Sequence, residues 1–476
     1  MLLKASATEL ALRIRERTVT SRAVVDAHIA QIEASHGVLN AMVRDRFPAA
    51  RAEADRADEA VRRGDALRPF HGVPCSIKES FAVVGMPNTA GLVARRGVVS
   101  DRDAITVARL RKAGAIPLGV TNTSELCMWM ESDNRVYGRT NNPYDPSRIV
   151  GGSSGGEGAI VAVGGAPFGL GSDIGGSIRM PAFFNGVFGH KPSAGRVPGS
   201  GQFPLAHGAA LRYLTTGPLC RRAVDLWPLL QILEGSDGED PACEPFPKIP
   251  DGPDGVSLDG LEVATIEHNG LVGVHGALLE AQRRAAAHLA RRGARVRKVH
   301  LPELRTSLEV WSAMMSDAGG PSYAELLGNG TKVRPGKTLL DFLRGKSDFT
   351  PMSVGLVLAE LLPHLLGDRS RAALEAGKHL RASLDHAIGA GVLLFPSYPR
   401  PAPRHRMPML IPIQWAYTAV FNVMELPATQ VPLGLSSGLP LGVQVVSRHG
   451  QDHRCIAVAL ELERAFGGWV PPPRWF

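Results

Sequence analysis

The sequence predicts an α/β fold, because helical and strand-like patterns alternate over much of its length. The helical pattern of Ala104–Ala113 is followed by an apolar, strand-like run over Ala115–Val120. The alternation returns further along, where strand patterns at Leu261–Ile266 and Ala294–Val299 flank a helical pattern at Val274–Arg292. The 476 residues are 44% hydrophobic, which is enough for a sizeable core in one large domain or in two or three smaller ones.

The N-terminal region predicts three helices and then a strand. Ser6 and Glu9 stand at the spacing of a capping box, and the apolar positions Leu10 and Ile14 follow at helical spacing. The later elements of this region are a helix from Thr20, a helix over about 48–63 and a short strand within 70–80.

The C-terminal half continues the pattern after a change in composition. Residues 235–259 are rich in Asp, Pro, Glu and Gly and predict a surface excursion, whereas residues 303–386 predict mostly helix. Within them, Met352–Leu366 is apolar on more than one face, which favours a core helix over a lid or a cap that touches a membrane. Apolar strands are predicted at Val392–Phe395 and, twice, within 417–446.

The charged residues give a net charge of +8 and a pI of about 9.4. The 53 basic residues comprise 43 Arg, dispersed along the chain, and only ten Lys. Dispersed arginine is typical of a solvated surface, so a nucleic-acid partner is not expected. Because Lys is scarce, a Lys inside an apolar segment is a candidate functional residue.

The five cysteines are odd in number and show no C-x-x-C spacing. Neither a disulfide framework nor a zinc site is therefore predicted, and a reducing compartment fits best. The N-terminus is too charged for a signal peptide, and no stretch approaches 18 uncharged apolar residues. These features predict a cytoplasmic protein without an integral membrane segment.

The densest cluster of glycine and serine runs from Gly151 to Ser177 and reads GGSSGGEGAIVAVGGAPFGLGSDIGGS. Glycine lets the backbone approach a ligand closely, and both ends of the segment offer serine hydroxyls. A flexible linker is the alternative, but linkers are polar throughout and this segment contains apolar runs.

Two familiar motifs fit part of this segment. Gly151 to Gly155 matches G-x-S-x-G, the nucleophile elbow of α/β-hydrolases, which needs an acid and a histidine later in the chain. The candidates for that pair are Asp385, Glu425, His449 and His453, and nothing around them marks them out. The spacing also begins like a phosphate-binding P-loop, but Glu157 replaces the lysine of that motif and would repel phosphate.

A third interpretation pairs serine with lysine, a variant of the nucleophile and base arrangement. The base must be a neutral amine, and burial favours the neutral form because it lowers the pKa of a lysine. Lys78, near the end of the predicted strand, is the lysine placed for such burial. Ser177 would be the nucleophile, since its own N–H and those of the preceding Ile-Gly-Gly could converge on a developing oxyanion.

Lys78 and the blocks GGSSGGEGA and DIGGSIRMPA together resemble the amidase signature family, whose members use a Ser-cisSer-Lys triad. The intervals of 75 residues from Lys78 to Ser153 and of 24 from Ser153 to Ser177 match that family's pattern. The resemblance covers most of the chain, is weakest over about 236–386, and is strongest to the fatty-acid amide hydrolase branch.

Position by position, the resemblance implies that Ser177 attacks a carbonyl carbon. Ser153 would relay the proton to Lys78 and later help to protonate the leaving nitrogen, and the Gly152-Ser153 peptide bond would be cis. The other implied positions are an oxyanion hole at Ile174, Gly175 and Gly176, substrate-side positions at Ser154 and Cys127, and structural roles for Asp173 and Arg179. The resemblance implies no metal and no organic cofactor.

The resemblance also implies one amidase signature domain over residues 1–476. Its core would be a large twisted mixed sheet with helices on both faces, and residues 236–386 would form a mostly helical variable insertion that lines the pocket. The implied activity is hydrolysis, through an acyl-enzyme, of amides with an apolar acyl or aryl group, which Met128, Trp129 and Met130 would contact. Esters and carbamates (urethanes) offer the same chemistry.

An alternative function follows from the same family, which includes the glutamine-hydrolysing subunit of a tRNA-dependent amidotransferase. The apolar character of the expected pocket favours the amide hydrolase instead. The expected binding partner of the protein is a small-molecule amide, ester or carbamate substrate. A homodimer is compatible with the sequence.

Overall fold

The computed structural model describes residues 2–360 and 367–476, and within these ranges helices and strands alternate as predicted. The helices are α1 (Ala7–Arg15), α2 (Ser21–Leu39), α3 (Phe47–Arg63), α4 (Ile105–Lys112), α5 (Gly155–Ala162), α6 (Arg179–Phe184), α7 (Ala210–Tyr213), α8 (Leu226–Leu233), α9 (Gly276–Arg291), α10 (Ser307–Asp317), α11 (Tyr323–Leu327), α12 (Pro335–Leu343), α13 (Pro351–Ala359), α14 (Gly367–Ile388), α15 (Ala416–Val423) and α16 (Asp452–Phe466). The strands are β1 (Met42–Asp45), β2 (Pro74–Lys78), β3 (Ile116–Thr121), β4 (Asp133–Asn134), β5 (Gly138–Arg139), β6 (Phe168–Asp173), β7 (Phe188–Lys191), β8 (Thr215–Cys220), β9 (Glu262–Thr265), β10 (Arg295–Lys298), β11 (Val392–Phe395), β12 (Ala428–Ser436) and β13 (Leu439–Val446).

Eleven of these strands form one mixed sheet in the order β1-β3-β2-β6-β8-β7-β12-β13-β11-β9-β10. The pairs β3–β2, β2–β6, β11–β9 and β9–β10 are parallel, and the remaining neighbours are antiparallel. Strands β4 and β5 form a separate hairpin. The predicted α/β class and the large mixed sheet are therefore confirmed.

The sheet is covered on both faces, as β11 illustrates. Successive side chains of a strand point to opposite faces. Val392 and Leu394 belong to one cluster of buried apolar side chains, and Leu393 and Phe395 belong to another. A strand buried in this way reads as a continuous apolar run.

The predicted helix starts agree with the structure. Ser6 caps α1, where its Oγ accepts from the Glu9 N–H at 2.9 Å, and Thr20 caps α2 by accepting from the Ala23 N–H at 3.0 Å. Each cap satisfies a backbone N–H that has no partner within its helix.

The structure adds detail where the sequence pattern was weak. Residues 417–446 contain the two predicted strands but begin with α15, and the return after Ser177 holds β7 and β8, which the pattern did not reveal.

The first part of Met352–Leu366 lies on α13, which buries Ser353, Val354 and Val357 and leaves Gly355 exposed. It is a half-buried helix, and residues 361–366 lie outside the described residues. In the described ranges, no helix combines the length and apolar character that a membrane crossing requires.

Two glycine-to-alanine substitutions in helices should have opposite effects on stability. In α5, a Cβ at Gly156 would lie 2.5 Å from the backbone N and 2.7 Å from the backbone O of Asn122, whereas one at exposed Gly37 in α2 meets nothing within 4 Å. We expect Gly156→Ala to lower the free energy of unfolding by about 1–3 kcal/mol, because backbone atoms must move. Gly37→Ala should raise it by about 0.5 kcal/mol. Urea denaturation measures both, and equal effects would contradict the packing described for α5.

Candidate active site

The predicted site residues meet at one edge of the sheet. Strands β2 and β6 are parallel neighbours, and they end at Lys78 and Asp173. Parallel strands present their carboxyl ends at the same edge, which is where open α/β sheets bind ligands. The turn after β6 carries Ser177, and the turn before α5 carries Ser153 and Ser154. The fold thus gathers segments that are far apart in the chain.

Lys78 is fully buried and bonded to two hydroxyl groups. Its Nζ donates to Ser153 Oγ at 2.6 Å and to Ser172 Oγ at 3.0 Å. Burial lowers the pKa of Lys78, because the ammonium form loses its hydration. The amine is therefore closer to its neutral form at moderate pH than an exposed lysine would be.

The Ser153 turn is held by close backbone packing. The Gly152-Ser153 peptide bond is cis, as the resemblance implied. A Cβ at Gly152 would collide with the backbone oxygen of Trp129 and lie 2.8 Å from the Glu131 nitrogen, so glycine is required there. Ser132 supports the turn from the same side, because its hydroxyl donates to the Gly151 carbonyl at 3.0 Å.

Ser177 lies beside this turn but is not bonded to it through its hydroxyl. Its carbonyl accepts from the Ser154 N–H at 3.2 Å, and only 7% of the residue is exposed. Among the described residues, the Ser177 Oγ and the N–H groups of Ile174, Gly175 and Ser177 have no hydrogen-bond partner. The Gly176 N–H differs from these three, since it donates to Asp173 Oδ1 at 2.7 Å. The N–H groups left without a partner are thus those of Ile174, Gly175 and Ser177, whereas that of Gly176 is engaged.

The Ser177 turn is anchored by a buried ion pair. Arg179 donates to both carboxylate oxygens of Asp173 at 3.0 Å, and both side chains are fully buried. Its remaining donors bond the Thr418 carbonyl at 2.9 Å and, at 3.0 and 2.7 Å, Gln444 Oε1 and Asn422 Oδ1. The arginine lowers the pKa of Asp173 far below its usual range, against the effect of burial. These contacts agree with the structural role predicted for the pair.

Glu157 lies on α5, which follows the Ser153 turn, and its side chain is fully buried. It accepts from Ser76 Oγ at 2.5 Å and from Thr121 Oγ1 at 2.6 Å, and burial raises its pKa to about 7. Two hydroxyl donors keep the buried carboxyl satisfied. Glu157 therefore ties α5 to β2 and β3.

A cavity of about 150 Å³, which we call the Ser172 cavity, borders this site. Ser172, Ile174 and Cys127 line it, and Met128 contributes to its apolar wall. The Cys127 thiol is half-buried and lies 3.3 Å from Thr123 Oγ1. The two other residues expected near the substrate lie elsewhere: Trp129 lines a separate cavity of about 320 Å³, and Met130 is buried in the core.

Sequence reasoning missed several side chains that support the site. Ser172, the second partner of Lys78, was visible only as the serine before Asp173 in β6. The others come from distant segments and were not singled out as site residues: Ser132, Trp311, which donates to the Ile174 carbonyl, and Thr418, which donates to the Gly175 carbonyl.

Comparisons with known proteins place this geometry in a family. Residues 23–456 match the family model described as Amidase. The chain belongs to the amidase signature family. It is 46% identical over 491 residues to "Fatty-acid amide hydrolase 2-A" of Danio rerio, an alignment that covers 99% of this chain and 90% of the relative.

Two further amidase signature proteins are more distant. A glutamyl-tRNA(Gln) amidotransferase subunit of Koribacter versatilis is 30% identical over 469 residues, with 95% of this chain and 97% of the relative covered. A solved structure of 6-aminohexanoate cyclic dimer hydrolase complexed with substrate superimposes with a TM-score of 0.82 at 28% identity, over 98% of this chain and 97% of that one. The predicted family is confirmed, and membership identifies the chain as an amidohydrolase.

Removing the arginine of the buried ion pair should lower the free energy of unfolding far more than removing an arginine at the surface. Arg179→Met leaves the Asp173 charge buried without its partner, which costs about 3–5 kcal/mol. The control is Arg62→Met, whose pair with Glu59 is exposed and contributes less than about 1 kcal/mol. Chemical denaturation compares the two variants. Similar losses in both would show that the pair does not anchor the Ser177 turn.

Proposed function

We propose that the protein is a serine hydrolase that cleaves amides with an apolar acyl or aryl group, with Ser177 as nucleophile, Ser153 as proton relay and Lys78 as base. The observation that carries this proposal is the 2.6 Å contact between Lys78 Nζ and Ser153 Oγ in a fully buried setting. A buried amine beside a hydroxyl can act as a base, because burial favours its neutral form.

The first chemical step transfers one proton along the three side chains. Ser177 Oγ attacks the carbonyl carbon while its proton passes to Ser153 Oγ, and the Ser153 proton passes to the neutral Lys78 amine. The tetrahedral intermediate then collapses, the C–N bond breaks, and Ser153 returns a proton to the leaving nitrogen as Lys78 reprotonates it. Water hydrolyses the acyl-enzyme by the same route in reverse.

The negative charge on the carbonyl oxygen needs donors at the Ser177 turn. The unpartnered N–H groups of Ile174, Gly175 and Ser177 support an oxyanion hole there. Gly176 would join them only if its bond to Asp173 opened. Each donor of this kind contributes about 3 kcal/mol to transition-state stabilisation.

The relatives and the cavity support an apolar amide as substrate. The zebrafish relative is named a fatty-acid amide hydrolase, and the Ser172 cavity is lined mainly by apolar side chains. Esters and carbamates present the same carbonyl and a heteroatom that can be protonated, so we extend the proposal to them. The amidotransferase subunit is the weaker candidate, because its identity to this chain is 30% against 46%.

We further propose a cytoplasmic enzyme that needs no partner protein for hydrolysis. Five cysteines without a disulfide among the described residues fit a reducing compartment. A purified chain that cleaves a hydrophobic anilide alone would support the proposal. Glutaminase activity that appears only with partner proteins would favour the amidotransferase subunit instead.

A fluorophosphonate should label Ser177, and peptide mapping by mass spectrometry identifies the adduct. Ser177→Ala should abolish both labelling and hydrolysis of the anilide.

Lys78→Met should lower kcat by about 1000-fold or more with the fold retained, because the proton loses its acceptor. The control is Lys191→Met, which removes another buried lysine that takes no part in the proposed relay. An adduct on Ser153 or Ser154 would contradict the assignment of Ser177 as nucleophile. A kcat of Lys78→Met close to that of the unsubstituted enzyme would contradict the assignment of Lys78 as base.

The rate of hydrolysis should rise from neutral toward mildly alkaline pH. Only the neutral Lys78 amine accepts a proton, and that form grows as pH rises through its pKa, which burial has lowered. The pH profile of kcat/KM for the anilide measures this. A profile that is flat from about pH 6 to 9 would argue against a lysine base.

A further inference from the structure

The volume of the Ser172 cavity sets a limit on what can bind in it. Its volume is about 150 Å³. An apolar protein cavity of about this volume holds one benzene molecule. A long acyl chain would therefore extend beyond the volume of this cavity.

The wall of the Ser172 cavity is formed mainly by apolar side chains from three separate regions. The three regions are the one around Cys127, the segment that follows Gln202 and the predicted insertion, and large apolar residues from each line the cavity. They include Leu126, Met128, Phe203, Leu205, Met315 and Leu326. Met315 on α10 and Leu326 on α11 are half-buried. Their side chains close the cavity on the side of the insertion.

We propose that the Ser172 cavity binds the acyl part of the substrate and restricts it to a single aromatic ring or a short chain. This inference rests on the proposed function and narrows its substrate class. The cavity lies against Ser172 and Ile174, which places a bound acyl group between the Lys78 contact and the turn that leads to Ser177. The enzyme would thus prefer arylamides and short acylamides to long-chain fatty-acid amides.

A series of 4-nitroanilides tests the size limit, since the released nitroaniline is followed by its absorbance. The acyl groups are acetyl, butanoyl, benzoyl and decanoyl, the last kept below its micelle concentration. We expect kcat/KM for benzoyl or butanoyl to exceed that for decanoyl by about tenfold or more. A value that keeps rising to decanoyl would overturn the size limit and leave the proposed hydrolase intact. Hydrolysis of no anilide would overturn the proposed function and this inference with it.

Enlarging the cavity should shift the preference toward longer chains. Met315→Ala removes a half-buried side chain from the wall, and Met314→Ala is the matched control, because Met314 is the adjacent half-buried methionine on α10 and does not line the cavity. We expect the decanoyl-to-benzoyl ratio of kcat/KM to rise about tenfold in Met315→Ala and to stay unchanged in Met314→Ala. Equal ratios in the two variants would place the acyl group elsewhere.

Discussion

The ion pair between Asp173 and Arg179 is the contact on which the arrangement of the Ser177 turn depends. It joins the end of β6 to the start of α6, and the turn between them carries Ser177. Thr418 and Asn422 on α15 and Gln444 on β13 satisfy the rest of the arginine. Two fully buried charges are stable only when paired and hydrogen-bonded, so the turn has little freedom to rearrange.

Close packing imposes a second constraint, on the Ser153 turn. Gly152 and Gly156 lie against the backbone of two other segments, and neither site has room for a side chain. This approach brings Ser153 to the end of β2, where Lys78 reaches its hydroxyl from within the core. Burial lowers the pKa of Lys78, so a larger fraction of the amine is neutral at a given pH. The proposed chemistry requires this neutral form, because only it can accept a proton.

The sequence predicted the fold class and the three residues proposed as the triad because both have local signals. Alternating patterns mark helices and strands, and the glycine and serine blocks together with Lys78 mark the family. The supporting side chains could not be predicted in this way. Ser132, Trp311 and Thr418 reach the site through tertiary packing, and no local pattern identifies any of them individually as a supporting residue.

The N–H groups proposed as oxyanion donors illustrate the same limit. The block Ile-Gly-Gly-Ser predicts a set of convergent N–H groups, but it does not reveal which of them the fold already uses. The bond from Gly176 to Asp173 is a consequence of the carboxylate's position inside the turn. Likewise, the apolar composition near Met128 predicts an apolar pocket, whereas its volume depends on where α10 and α11 pack.

The order of the strands has a consequence for how the protein is made. Arg179 in the middle of the chain donates a hydrogen bond to Gln444, which is 265 residues later and lies on β13, the last strand in the chain. During synthesis, the Ser177 turn therefore emerges long before its final contacts exist. A nascent chain would hold the serines and the lysine without a rigid turn to align them. Hydrolytic competence should then arise only at the end of translation, when β12 and β13 close the sheet between β7 and β11.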